Sequence, residues 1–479
     1  MFKHNQCSQE TDSKTSATIC EICGRVNSYE QRRCVNCWSR LSGDTIVVEH
    51  NDIGKTLGSV IASRKVKRII RWSVGLPLVS AVIALVCLSQ FGSALFISKP
   101  ASSITVIAES GDWPMYQRDL SHSGFVPEMT SLLEGKVQWT FKTDKQLFSS
   151  PSIVNGRIYL TTGDKRALSL DAQTGDLLWE FSVEDPINSS PAVAGDQIFF
   201  GLRNGKILSL DINTGLKIWE FDTGTNILSS PAVEDGVLYI ASGNGKLYAL
   251  DALTGEERWN YMTNGWISSS PTITESTVAI TSFDTDLHVV DKITGKRQLD
   301  FYVSAAPRGS ASLGKDFLFI GDALGRLKAV DWSKKKRPLE NALMKIKVQL
   351  FLWGMIDTLP YQKGFIWSAP AKGAIYGVPV VADGKLIVAT FTGQVVAVNQ
   401  FTGDILWEFN SGIRFLSSPS ATSKSVFVGD IEGNLYALDI QTGRKRWEMN
   451  LGHYITATPV PANGMLYLAS WDGHLYAIK

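Results

Sequence analysis

Apolar and polar positions divide the 479-residue chain into three regimes. Residues 1–71 are polar, with no sustained hydrophobic period. Residues 72–98, WSVGLPLVSAVIALVCLSQFGSALFIS, form a run of 27 without a charge. From about residue 136 onward, short apolar runs rich in Val, Ile, Leu, Phe and Tyr are separated by Gly, Asn, Asp and Ser. Runs of that kind between turn residues predict strands. The charge-free run is long enough to cross a bilayer core, which needs about 20 apolar residues as a helix. Arg64, Lys65, Lys67, Arg68 and Arg71 precede it and only Lys99 follows at its far flank, which predicts a cytoplasmic N-terminus. A cleaved signal peptide fits poorly, because the polar region before the run is too long and no small-x-small site follows. A buried core helix is the alternative.

The strand-rich part keeps a clock of 40 residues. Ser149-Ser150-Pro151 recurs at Ser189-Ser190-Pro191, Ser229-Ser230-Pro231 and Ser269-Ser270-Pro271, and Gly309-Ser310-Ala311 continues the phase. Gly377-Val378-Pro379, Ser417-Ser418-Pro419 and Ala457-Thr458-Pro459 resume it after a jump of 68, which makes eight repeats and one insertion. Each repeat reads as four strands; in the second copy these are PAVAG, QIFFGL, KILSLD and KIWEF. Asn204-Gly205 and its counterparts suit the hairpin between the second and third strands. Asp-x-x-Thr-Gly joins the third and fourth, its carboxylate placed to cap turn amides. Four antiparallel strands per 40 residues is the unit of a propeller blade. The last repeat stops after its third strand at Lys479, and an orphan fourth strand, Lys136–Phe141, precedes the first full repeat. Pairing them closes the ring and removes an open sheet edge. The predicted fold is all-β: an eight-bladed β-propeller of four-stranded antiparallel blades over 112–479, preceded by a zinc ribbon (18–40), a basic linker (41–71) and a transmembrane helix (72–98).

Charge and cysteine usage agree with this division. Residues 1–71 carry 12 Lys/Arg against 7 Asp/Glu, and the remainder 35 against 39. The overall balance excludes a polyanion-binding protein as a whole. All six cysteines lie at or before residue 87, so the bulk of the chain has no disulfides. Cys20-x2-Cys23 and Cys34-x2-Cys37 can present four thiolates tetrahedrally to zinc, and so short a segment would depend on the metal to fold. The alternative is free thiols or a redox pair. The stretch CEICGRVNSYEQRRCVNC resembles the short zinc ribbons at the N-termini of many prokaryotic membrane proteins. Thiolates persist in a reducing cytoplasm, and the cysteine-free part would lie across the membrane. That places the chain in the plasma (inner) membrane as a single-pass protein, with its propeller periplasmic or extracellular.

The pattern LYALDxxTGxxxWxF, seen as Leu247–Asp251 with Thr254-Gly255 and Trp259 and as Leu435–Asp439 with Thr442-Gly443 and Trp447, resembles the pyrroloquinoline-quinone (PQQ)-type repeat. The lead-in Asp112-Trp113-Pro114-Met115-Tyr116-Gln117-Arg118-Asp119 is similar to the segment before the first blade in that family. The resemblance implies one of two kinds of protein. Quinoprotein dehydrogenases bind the quinone and calcium; propeller scaffolds, such as the bacterial outer-membrane assembly lipoprotein, bind neither and recruit proteins. The adjacent cysteines of the dehydrogenases have no counterpart here. The Asp of Asp-x-x-Thr-Gly recurs in nearly every copy, as turn capping requires and a single chemical step does not. The expectation is a non-catalytic, membrane-anchored scaffold without PQQ or calcium, with protein partners at a propeller face, a cytosolic partner for the ribbon, and no nucleic acid. The rivals are a quinoprotein oxidoreductase and a receptor for a small ligand or polysaccharide.

Propellers bind through loops at the mouth of the central channel. Two positions before the first Ser of each repeat, or its equivalent, the copies are uniformly apolar: Leu147, Ile187, Ile227, Ile267, Pro307, Ile375, Phe415 and Ile455. The flanking residues Phe148, Asn188, Asn226, Trp266, Arg308, Tyr376, Arg414 and Tyr454 vary, as either a recognition surface or ordinary loops would. The insertion, 333–362, opens with Lys334-Lys335-Lys336-Arg337 and places Leu339, Leu343, Ile346, Leu350 and Trp353 at helical spacing. It predicts a helix that lies in a membrane interface, docks a partner or packs on the propeller's side.

Overall fold

The computed structural model describes residues 17–19, 26–28, 47–48, 100, 104–106, 109–336, 340–358 and 360–479. Cys20, Cys23, Cys34, Cys37 and the run 72–98 lie outside the described residues. The chain divides into two units, the larger formed by Ser93–Arg337 and Gln362–Lys479. In the smaller, strands Ala17–Ile19, Val26–Ser28 and Val47–Val48 make an antiparallel sheet with the first strand central. It also holds the helix Glu340–Leu352, inside the predicted insertion, with Leu343 and Ile346 more than half exposed. Among the described residues no helix is long and apolar enough to cross a membrane.

The larger unit is an eight-bladed β-propeller. Blade 2 shows the plan: Ala192–Ala194, Gln197–Gly201, Lys206–Asp211 and Lys217–Asp222, antiparallel in sequence order. Its two middle strands are apolar on both faces because blades flank them on each side, whereas the outermost strand alternates buried and exposed positions. The third and fourth strands slip register at one place in every blade, at Ser209/Leu210 here and at Ala477/Ile478 in the last. This bulge lies beside the Asp-x-x-Thr-Gly turn and twists the outer strand. In that turn Asp211 Oδ1 accepts hydrogen bonds from the amides of Asn213 and Thr214 and from the Thr214 hydroxyl. Asn399 accepts the equivalent pair of amides from Phe401 and Thr402.

Ring closure follows the expected splice. Val137–Lys142 is the outermost strand of blade 8, pairing with His474–Ile478 from His474↔Lys142 to Ile478↔Val137. Neighbouring blades are stitched by the recurring tryptophan and glycine. Trp179 of blade 1 lies on Gly215 of blade 2, where a Cβ would come within 2.6 Å of the indole. Its Nε1 donates to Ile212 O at 3.0 Å. Trp219, Trp259, Trp367 and Trp407 repeat the bond to the residue 33 positions on. Blade 4 carries Leu299 where the others have Trp, and the facing turn of blade 5 carries Lys335 where the others have Gly. Beside Leu299 lies Gly364, where blade 5 resumes after the insertion; a Cβ there would come 3.2 Å from Leu299 Cδ2.

The lead-in runs along the inner edges of the innermost strands. Trp113 exchanges both backbone bonds with Ile153 of blade 1, at 2.8 Å each. The carbonyls of Pro114, Leu120, Ser121, Ser123 and Gly124 then accept amides of blades 2, 4, 5, 6 and 7 in turn. Ile104 O accepts Gly236 N of blade 3, and Gln117 Nε2 donates to Thr458 Oγ1 of blade 8. One segment of about 25 residues thus ties every blade and covers edges that would otherwise leave backbone groups unpaired.

The Trp–Gly stitch yields a steric expectation. Gly215→Val should destabilise the protein by about 2–4 kcal/mol, because a side chain there meets Trp179 on a left-handed backbone. Gly224→Ala, also left-handed but with open space around it, should cost about 1 kcal/mol. Urea unfolding of the two variants checks this, and equal losses would show that backbone strain alone matters.

Candidate functional site

The Ser-Ser-Pro motif builds the wall of the central channel. The first serine serves its own blade: Ser149, Ser189, Ser269 and Ser417 each donate to the carbonyl 12 residues on. The second serine joins its neighbour. Ser150 N donates to Ser190 Oγ, Ser190 N to Ser230 Oγ, Ser230 N to Ser270 Oγ and Ser270 N to Ser310 Oγ, at 2.7–3.0 Å. Val378 N donates to Ser418 Oγ, and Thr458 N to Ser150 Oγ, which joins blade 8 to blade 1. Blade 6 has Val378 in place of the second serine. There Gly309 and Gly377 let the two backbones approach, and a Cβ on Gly309 would lie 2.5 Å from Gly377 O.

These residues enclose an axial cavity of about 170 Å³. Its floor is Tyr116 from the lead-in. Its mouth is ringed by the residue immediately before each motif: Phe148, Asn188, Leu228, Ser268, Arg308, Tyr376, Leu416 and Thr456. The lining is hydroxyl-rich, with one guanidinium and no carboxylate. Below it His122 is buried, with Nδ1 3.1 Å from both Ala311 O and Thr272 Oγ1. Burial holds its imidazole down at about 4, so it is neutral at ordinary pH. Gln117, Arg118 and His122 all sit at positive φ, which concentrates strained backbone in the plug.

Of the eight residues expected at the mouth, Phe148, Asn188, Arg308 and Tyr376 line the axial cavity. Asn226, Trp266, Arg414 and Tyr454 stand two positions earlier in their repeats and form an outer tier. Trp266 and Tyr454 are 37% and 48% exposed. The tiers are joined by aromatic contacts to the end of the second strand: Trp266 to Phe283 at 5.1 Å, Tyr454 to Trp471 at 5.3 Å, and Phe148 to Trp471 at 5.2 Å. The inner ring missed Leu228, Ser268, Leu416 and Thr456, which hold the same repeat position as Phe148 and were available from phase alone. Tyr116 carried no periodic signal. The apolar ring of Leu147, Ile187 and their counterparts is fully buried packing.

A larger cleft of about 650 Å³ opens between the lead-in and blade 3, lined by Glu109, Asp112, Asp119, Glu128 and Glu234. Its buried carboxylates serve the fold. Asp112 accepts from Glu109 N, Asn155 N and Asn463 Nδ2. Asp119 accepts from the amides of Ser121 and Ser123. Among the described residues no group of His, Cys, Asp and Glu is arranged to hold a metal ion.

The most polarised buried cluster lies in blade 4. His288 Nε2 is 3.0 Å from Asp284 Oδ2, and Nδ1 is 3.1 Å from Asp300 Oδ1 and 3.0 Å from the Tyr261 hydroxyl. Burial opposes charge on His288, but the hydrogen bonds and charges of Asp284 and Asp300 outweigh it and hold the imidazolium up at about 9. Burial likewise raises Asp284, and His288 reverses this, bringing it to about 2. Asp286, Arg297 and Lys336 complete the surrounding charges. The third-strand position of His288 is Tyr436 in blade 7, whose hydroxyl donates to Asp430. This is therefore a variant of a repeated clasp to the hairpin turn.

The fold and the motifs define a propeller of the PQQ-like repeat class. The chain belongs to the family described as outer membrane protein assembly factor BamB, whose model matches residues 126–226, 203–342, 361–422 and 392–479. No curated protein matches it. Among solved structures it is similar to BamB from Moraxella catarrhalis, at 19% identity and a TM-score of 0.59, covering 72% of this chain and 97% of that one. It is also similar to the quinohemoprotein alcohol dehydrogenase of Comamonas testosteroni, at 14% identity and TM-score 0.60, covering 77% and 80%. A computationally designed protein, Ika8, matches at 14% and 0.60, covering 72% and 99%. At these identities the likeness concerns the fold.

The His288 clasp gives a pH expectation. Because the folded value lies above the ordinary 6.5, its stabilisation is complete below pH 6.5 and is lost as pH rises through about 9. His288→Gln should lower stability by on the order of 2–3 kcal/mol at pH 6, and the difference should shrink above pH 9. Thermal unfolding of both proteins across that range checks it, and a constant difference would contradict it.

Proposed function

We propose that the protein is a non-catalytic scaffold anchored in the plasma membrane, whose propeller, on the periplasmic or extracellular side, holds protein partners at the mouth ringed by Phe148, Asn188, Arg308 and Tyr376. The observation that carries this reading is the two-tier rim around the axial cavity, where Trp266, Arg308, Arg414 and Tyr454 are exposed and Phe148 and Tyr376 half-buried. Such residues at a surface are those that anchor protein contacts. The family description, an assembly factor for outer membrane proteins, supports the same class of role. The donor set of the cavity supports it too. Calcium prefers carboxylate and carbonyl oxygens, and a quinone enzyme would need such ligands beside its cofactor, where this cavity offers serine hydroxyls and Arg308. In this reading 72–98 crosses the membrane with the N-terminus cytoplasmic, and Cys20, Cys23, Cys34 and Cys37 hold a structural zinc that presents the ribbon to a cytosolic partner.

Photocrosslinking tests the mouth. A photoreactive residue at position 454 should yield discrete protein adducts in native membranes, and one at Glu180 on an outer blade edge should not. Trp266→Ala with Arg414→Ala should abolish the adducts and leave thermal unfolding unchanged. Adducts only from position 180, or saturable absorbance changes on titration with PQQ and calcium, would overturn the reading.

A further inference from the structure

At the junction of blades 5, 6 and 7 the rim holds an arrangement found nowhere else among the described residues. The guanidinium of Arg308 lies 5.0 Å from the ring centre of Tyr376. Tyr376 packs against Phe391 with ring centres 5.2 Å apart and planes inclined by 58°. The guanidinium of Arg414 lies 5.0 Å from the ring centre of Phe391. The order is Arg308–Tyr376–Phe391–Arg414, two cations flanking two rings. Both arginines are exposed. Stacking on a ring fixes a guanidinium's plane while its N–H groups stay available at the edge.

Several cations at this end are neutralised, whereas these two arginines, like the exposed Arg203 of blade 2, are not. At the same end of the propeller Arg166 bonds Asp164 and Glu180, Lys206 bonds Glu184 and Glu220, and Lys372 bonds Glu408. Among the described residues no carboxylate lies within ion-pair distance of Arg308 or Arg414. Two oriented and unneutralised guanidiniums, held by packing, form a ready receptor for carboxylates. The axial cavity that Arg308 borders adds no negative charge of its own.

Across the mouth the exposed carboxylates are already paired, Asp144 with Arg166 at 3.9 Å and Glu184 with Lys206 at 2.9 Å. The rings between the arginines offer apolar contact that a peptide segment can use. We infer that the Arg308–Tyr376–Phe391–Arg414 cluster binds a short acidic segment of the partner protein, its carboxylates on the two guanidiniums and its flanking apolar side chain on the rings. This rests on the mouth being the partner site.

The test uses the full-length protein and a series of short immobilised peptides of one length, with Glu increasing at the expense of Gln and one aromatic residue kept. Binding should rise with the number of Glu and weaken as sodium chloride is raised. Arg308→Gln with Arg414→Gln should lower it about tenfold or more. Arg166→Gln, at an already paired arginine, should leave it unchanged. Should the double Gln variant fail to fold, Arg308→Lys with Arg414→Lys retains the charge and loses the guanidinium fork, and it should bind more weakly than the parent. Binding independent of Glu content, equal binding by the arginine variants, or binding of heparin in place of the peptides would overturn the inference. Crosslinking from position 454 that persists in any of those cases would keep the mouth as a partner site, and its loss would remove both.

Discussion

The structure depends on one splice: the strand that precedes the first full repeat completes the sheet that the C-terminus leaves one strand short. Each blade is stable only when both of its faces are covered, which requires a neighbour on either side. A linear array of eight would leave two faces bare. Pairing Val137–Lys142 with His474–Ile478 removes both ends at once. The Ser150 hydroxyl that accepts Thr458 N repeats the closure near the axis, and the lead-in repeats it on the inner strand edges. Three independent bonds, at the periphery, the channel wall and the inner edge, hold the same seam.

Within the closed ring, repetition carries stability and departures from it carry chemistry. Trp on Gly, Asp-x-x-Thr-Gly and the serine ring are geometric devices that gain nothing by varying. The departures gather in blades 4 to 6. Leu299 and Lys335 replace the stitch, Val378 interrupts the serine ring, Gly309 and Gly377 bring the backbones together, and the chain leaves blade 5 to form the insertion. Arg308 and Tyr376 flank that same junction. A ring of equal blades has no preferred direction, and a binding face needs one. The irregular sector supplies it.

A designed protein, an alcohol dehydrogenase and an assembly factor share this architecture at low identity. The propeller fixes where a ligand can sit, at the mouth or the axis, and leaves its nature to the side chains there. Here the axial space is narrowed by Tyr116 and lined by hydroxyls already engaged in joining blades. That leaves the rim as the surface with unspent hydrogen-bonding capacity and exposed aromatic area.

The sequence by itself determined the blade number, the strand order, the splice and the role of Asp-x-x-Thr-Gly, because each follows from periodicity and local turn chemistry. It also placed Phe148, Asn188, Arg308 and Tyr376 at the mouth. It could not separate them from Asn226, Trp266, Arg414 and Tyr454. A period of 40 fixes phase between blades, yet which of several neighbouring loop residues turns toward the axis depends on the backbone path through three dimensions. The serine ring was visible as a motif and its purpose was not, since each hydrogen bond joins residues 40 or more apart. Tyr116 as a floor, the lead-in as a clasp, and the stacking of Arg414 on Phe391 were decided only by the tertiary structure. Each arises where segments distant in the chain are forced together by closing the ring, and no local pattern encodes that meeting.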